Sequence, residues 1–164
     1  MANETFGFDA YAPREIAGRV RDFCVVKARL PLLTLTMLGL LAGAFIGLGA
    51  LYFVIVASDA SLGFAAVRIA GGVCFSLGLL LVVVAGAELF TGNNLLAMGW
   101  ADGCVTTGEV LRNWAVVSVA NFAGAAGLAM LVYLSGHWEM NGGAVGATYL
   151  RIAAAKAALD PMRA

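Results

Sequence analysis

The chain has 164 residues, 62% of them hydrophobic and 12% charged, with a mean hydropathy of +0.90 and a formal net charge of zero. Soluble domains hold close to half apolar and about a quarter charged residues, so this composition excludes an ordinary soluble domain and predicts an all-α integral membrane protein in a lipid bilayer. A balanced charge also gives no reason to expect a nucleic-acid partner.

Residues 1–29 read as a polar N-terminal segment. Pro13 is well placed to open a helix running to about Arg29, in which Ile16, Val20, Phe23 and Lys27 recur at helical spacing. An amphipathic helix lying at the membrane interface is expected. Arg14, Arg19, Arg21, Lys27 and Arg29 against Glu15 and Asp22 leave +3 just before the first apolar stretch. The positive-inside rule therefore places the N-terminus in the cytoplasm. The first thirty residues are too polar for a cleavable signal peptide.

Residues 30–58, 69–87 and 113–138 contain no Asp, Glu, Lys or Arg. A hydrocarbon core of about 30 Å takes roughly 20 helical residues, so three crossings follow. The first is expected over about 32–57, where Gly39, Gly43 and Gly47 recur every fourth residue and would let another backbone approach closely. A short exterior loop carrying Asp59 then leads to Arg68.

The second stretch admits two readings. Residues 69–87 suffice to span as one helix of about 28 Å, with Glu88 emerging beyond the membrane. Residues 89–101 are nevertheless uncharged and hold Leu95, Leu96, Met98 and Trp100, which suits the lower half of a broken helix over about 68–102. The break would then be Glu88 to Asn94, within the polar, glycine-punctuated run 86–94, at membrane depth and facing protein or a water-filled cavity. The third crossing is expected over about 112–135, with Ser118, Ala120, Asn121, Gly124 and Ala125 on a tightly packed face and Asn121 hydrogen-bonded across it. Residues 136–164 read as an exterior loop, in which His137 is a surface residue, followed by a short helix over about 149–159 ending at Asp160 and Pro161.

Four stretches carry a resemblance. Gly71-Gly72-Val73-Cys74-Phe75-Ser76-Leu77-Gly78-Leu79, running into Ala87-Glu88-Leu89-Phe90-Thr91-Gly92-Asn93, is similar to the second transmembrane segment of the formate/nitrite transporter family. Gly43-Ala44-Phe45-Ile46-Gly47-Leu48-Gly49, Arg112-Asn113-Trp114 and Asn121-Phe122-Ala123-Gly124-Ala125 are similar to that family as well. The likeness runs from about Phe23 onward. It implies an aquaporin-like inverted-repeat channel fold, here the first repeat only, with an interrupted second transmembrane helix and a second repeat missing beyond Ala164. It also implies a homopentamer in the cytoplasmic (inner) membrane that conducts small monovalent anions such as formate or nitrite, passively or coupled to protons. A truncated, non-transporting chain that only associates with a full-length relative is the alternative.

The resemblance assigns roles residue by residue. Thr91 would contact the anion at mid-depth, although its hydroxyl, with Asn93 and Asn94, would equally cap the following half-helix. Phe75, Leu79, Leu89 and Phe90 would form apolar constrictions beside it; as isolated residues they read equally as core or lipid-facing. Glu88 needs a partner at that depth. Lys27 fits the family position for it, and Lys156 fits the equivalent lysine at the outer mouth. Interface anchoring is the plain reading of both lysines. Cys24, Cys74 and Cys104 show no disulfide or metal spacing and read as small packing residues. No nucleotide-binding loop, metal cluster or Ser/His/acid constellation is present, so neither enzyme activity nor a cofactor or metal is expected.

Overall fold

A computed structural model describes residues 11–160, and every regular element among them is helical. Expectations for residues 1–10 and for Pro161 lie outside the described residues. Helix α1 spans Pro13–Ala28, with Pro13 at its first position and the Glu15 carboxylate accepting from the Ala12 N–H at 3.1 Å. It beds down through Val20, Cys24, Lys27 and Ala28, so Val20 and Lys27 of the expected stripe face inward while Cys24 and Ala28 complete the packed face. Ile16 and Phe23 are left as an exposed apolar edge. The small Cys24 and Ala28 side chains let α1 sit close to its neighbours.

Helix α2, Leu32–Ala57, lies between α3, Phe64–Ala85, and α6, Thr107–Leu134. All three are long and apolar enough to cross a membrane. Two glycine rows explain how α2 serves two partners. On one side, a Cβ at Gly43 would enter the Asn121 carbonyl oxygen, and a Cβ at Gly39 would lie 2.7 Å from the Ala120 Cβ. On the other, a Cβ at Gly49 would lie 2.6 Å from the Phe75 carbonyl oxygen of α3. The turn between α2 and α3 is held by Asp59, whose carboxylate accepts from the Ser61 N–H at 2.8 Å and hydroxyl at 2.6 Å. Those bonds hold its carboxyl below the usual carboxylate range.

Helix α3 ends at a left-handed Gly86, φ 64°. The Ala87 N–H donates to the Val82 carbonyl at 2.9 Å and the Gly86 N–H to Val83 at 3.3 Å, the Schellman pattern that closes a helix at glycine. Two short helices follow, α4 over Phe90–Asn93 and α5 over Leu96–Ala101. Between them the Leu95 N–H donates to Gly92 at 3.3 Å and the Ala97 N–H to Asn94 at 3.1 Å, a tightened turn rather than one continuous half-helix.

Helix α6 begins at Thr107, earlier than the boundary near Arg112 suggested by charge. Thr106 and Glu109 form a capping box: the Glu109 N–H donates to the threonine Oγ1 at 3.3 Å, and the Thr106 N–H to the glutamate at 2.8 Å. Beyond Gly136, itself left-handed, 3-10 turns at His137–Glu139 and Asn141–Gly143 lead into α7, Ala144–Ala157. The turn folds His137 back against Tyr149, with ring centroids 6.2 Å apart, and both imidazole nitrogens are buried. His137 is therefore half-buried, with its ring packed inward rather than freely exposed as expected.

Candidate functional site

The interruption between α3 and α5 leaves backbone groups without intrahelical partners, and each one left unpaired away from water is costly. Side chains from α1 and α6, with a backbone carbonyl of α2, meet part of that need. Asn121, from mid-α6, donates through Nδ2 to the carbonyls of Glu88 at 2.9 Å and Gly39 at 2.8 Å. Its Oδ1 accepts from the Phe90 N–H at 2.9 Å. The Glu88 N–H reaches the Leu38 carbonyl at 3.2 Å, and the Trp114 indole donates to the Asn93 carbonyl at 2.9 Å. One amide thus ties α2, the break and α6 together.

The charged group in the break is held by a second set of contacts. Glu88 is 4% exposed, and Asn93 and Asn113 are wholly buried. The Lys27 ammonium lies 2.9 Å from Glu88 Oε1 and donates to Asn93 Oδ1 at 2.9 Å. Asn93 Nδ2 donates to Glu88 Oε2 and to Asn113 Oδ1, both at 2.8 Å. Asn113 Nδ2 returns to the Lys27 carbonyl at 3.1 Å. The ring closes, since Lys27 enters it by both its ammonium and its own backbone. A buried ion pair is favoured only when its remaining donors and acceptors are also satisfied, and here the two asparagines supply them. The Cys24 thiol adds a bond to the Leu95 carbonyl at 3.2 Å, so this cysteine does more than fill space. None of the three cysteines is paired.

Thr91 sits in the second position of α4, exposed. The capping alternative does not describe it: the N-cap is Leu89, without a side-chain bond, and the first N–H is taken by Asn121. Phe90 and Leu89 flank it, half-buried; Phe90 meets the Trp114 ring edge-on at 6.3 Å, and Leu89 packs against Ala42, Val82 and Ala87. Phe75 and Leu79, one turn apart on α3, are 41% and 52% exposed. The structure thus brings Lys27, Glu88 and Asn93 into one cluster, beside the α4 turn that carries Leu89, Phe90 and Thr91. It leaves Lys156 apart from that cluster, exposed in the last turn of α7. Asn113 and Trp114 were quoted only as part of a likeness, yet both are in the site. A tryptophan and an asparagine adjacent to an arginine at a segment end were the available signal.

Among the described residues no group of three or more His, Cys, Asp or Glu side chains is placed to hold a metal ion. A cavity of about 660 Å³ lies away from the cluster between α2, α6 and α7 and is walled by small and aromatic residues including Gly47, Ala125, Trp138 and Gly146.

Residues 14–164 match the family model described as formate/nitrite transporter. The chain is 33% identical over 147 residues to the formate channel FocA of Escherichia coli strain K12, covering 89% of this chain and 52% of that protein. It is 34% identical over 154 residues to FocA of Haemophilus influenzae, covering 92% and 54% respectively. The uncharacterized transporter YrhG of Bacillus subtilis is 38% identical over 127 residues, or 76% of this chain and 47% of that one. A solved FNT family ion channel superposes with a TM-score of 0.69 at 25% identity, over 75% of this chain and 50% of the other. The chain therefore spans about half the length of the curated relatives it matches. The architecture is that of part of such a channel.

Proposed function

The chain belongs to the formate/nitrite transporter family, and on that premise we propose that it supplies the half of a small-anion pathway that contains the broken helix. It is a membrane protein by its three long apolar helices and its family. The anion is a small monovalent one, formate or nitrite being the class the relatives' names suggest. The observation that carries the reading is the pairing of a buried, bonded Glu88 and Asn93 with an exposed Thr91 on the rim of the break, whose hydroxyl has no hydrogen bond among the described residues. The side chains of Lys27, Glu88, Asn93, Asn113 and Asn121, by contrast, are spent on bonds around the break.

In this reading the anion crosses beside α4. Thr91 donates its hydroxyl to it, while Phe75, Leu79, Leu89 and Phe90 strip water on either side. Such a wall penalises ions that dehydrate reluctantly, and a small monocarboxylate loses less than a divalent ion. Lys27, Glu88 and Asn93 act electrostatically and structurally, without touching the anion. Lys156 adds positive charge at the opposite mouth and concentrates anions there. The pathway is completed by a second repeat, and the working unit is a homopentamer in the cytoplasmic (inner) membrane. The +3 segment ahead of α2 keeps the N-terminus in the cytoplasm and places residues 136–164 outside. The domains follow accordingly: an interface segment over 1–29, a first transmembrane repeat over 30–135 and an exterior connection over 136–164. No covalent chemistry, and so no enzyme activity, is assigned to the site.

Flux measurements test this directly. The protein, with its second repeat present or supplied by a full-length relative, is reconstituted into proteoliposomes. Labelled formate and nitrite should equilibrate well above the rate of empty vesicles, while sulfate should not. Equal permeation of sulfate, or no anion flux above the lipid background, would contradict the proposal.

A further inference from the structure

The ring around Glu88 depends on where α1 ends, because Lys27 is in its last turn. Few apolar contacts fix that end: Ile16, Phe23 and Val26 are exposed, Val20 and Val25 are half-buried, and only Cys24 and Ala28 of α1 are fully buried. The last carbonyls of any helix lack intrahelical donors. Here they find them on α6. Arg112 Nη2 donates to the Leu30 carbonyl at 3.1 Å, and Nη1 lies 3.5 Å from the Ala28 carbonyl. Arg29 pairs with Glu109 at 3.0 Å, one turn before Arg112 on the same face of α6. Asn113 takes the Lys27 carbonyl.

We propose that Arg112 is a positioning residue: its guanidinium clasps the carbonyl end of α1 and so holds the Lys27 ammonium on Glu88 and Asn93. Arg112 touches neither the pair nor Thr91. Its planar fork bridges two carbonyls on either side of the α1–α2 corner, and its charge complements the negative end of α1. Without it, the bonds from α6 to this end of α1 are reduced to Asn113 and the exposed Arg29–Glu109 pair, which solvent screens. Local opening of α1 then withdraws Lys27 from the buried cluster. The assignment rests on the reading of Lys27 and Glu88 given above as the support of the break, and its test does not use transport.

Lys27 and Lys156 are the only lysines in the chain, which makes amine acetylation a direct readout. The folded protein in detergent is treated briefly with an N-hydroxysuccinimide acetate ester, and the two lysines are quantified by peptide mass spectrometry. In the wild type, Lys27 should react far more slowly than exposed Lys156. In Arg112→Gln, Lys27 acetylation should rise roughly tenfold or more, as expected on losing a charged hydrogen bond to the helix end, with Lys156 unchanged as the internal reference. Arg112→Lys, which keeps the charge but loses the fork, should fall between the two and serves if the glutamine variant does not fold. Lys27 remaining as protected as in the wild type, in a folded Arg112→Lys or Arg112→Gln protein, would overturn the assignment. Should flux fail while Lys27 exposure still follows Arg112, the anion reading falls and the clasp stands.

Discussion

At the scale of single residues, the buried Lys27–Glu88 pair makes the sharpest energetic claim. The two groups are 2.9 Å apart with only 12% and 5% of their side chains exposed, so neither has water to fall back on. Glu88→Gln leaves the Lys27 ammonium unpaired in a low dielectric and should cost about 3–5 kcal/mol. Lys27→Gln in that background removes the orphaned charge, so the double variant should be the more stable of the two in apparent melting temperature. Simply additive losses would show that the two charges do not meet. From the sequence, the contact was legible only through the family likeness, because nothing in the spacing of residues 27 and 88 points one at the other. Asn93 was expected near the break as a cap, and its actual work is to bridge the pair and Asn113. An amide's partners are set by tertiary packing, which local pattern does not encode.

At the scale of elements, α2 shows which features a sequence does carry. Its small-residue row appears as a four-residue period, and the structure seats that row on α6 so closely that the backbone of Asn121 occupies the space of a Gly43 Cβ. This contact positions more than two helices, since the Asn121 side chain also holds the break. Gly43→Ala should therefore displace α6, cost about 1–3 kcal/mol as an overpacking change, and lower the yield of folded protein. Gly18→Ala in α1, where nothing lies within 4 Å of the added carbon, should instead stabilise by about 0.5–1 kcal/mol through helix propensity alone. Equal melting temperatures for Gly43→Ala and the wild type would mean that α2 and α6 do not pack this closely in the membrane. The break itself was only partly legible. Gly86 and the polar run marked its position, whereas uncharged residues 89–101 suggested one half-helix where the chain forms α4, a tight turn and α5. Charge marks membrane depth poorly at helix starts. The start of α6 was hidden for that reason, although Thr106 and Glu109 spelled out a capping box.

At the scale of the whole molecule, composition and three uncharged stretches established a helical membrane protein, and the comparisons established its family. What no single stretch revealed is the division of labour around the break: Asn121, Trp114, Asn113 and Lys27 arrive from two other helices to bond its groups, while the Thr91 hydroxyl stays exposed. This hydroxyl is the group proposed above to face the permeating anion. The most direct test is formate and nitrite flux through Thr91→Val and Thr91→Ser proteins in proteoliposomes, with the second repeat present and correct folding verified by melting temperature. Valine keeps the volume and removes the donor, so the anion forfeits a charge-assisted hydrogen bond worth about 1.5–3 kcal/mol, a tenfold or larger change in flux or selectivity. Serine keeps the donor and should remain close to the wild type. Unaltered flux and selectivity in a well-folded Thr91→Val protein would contradict the claim and remove Thr91 from the pathway.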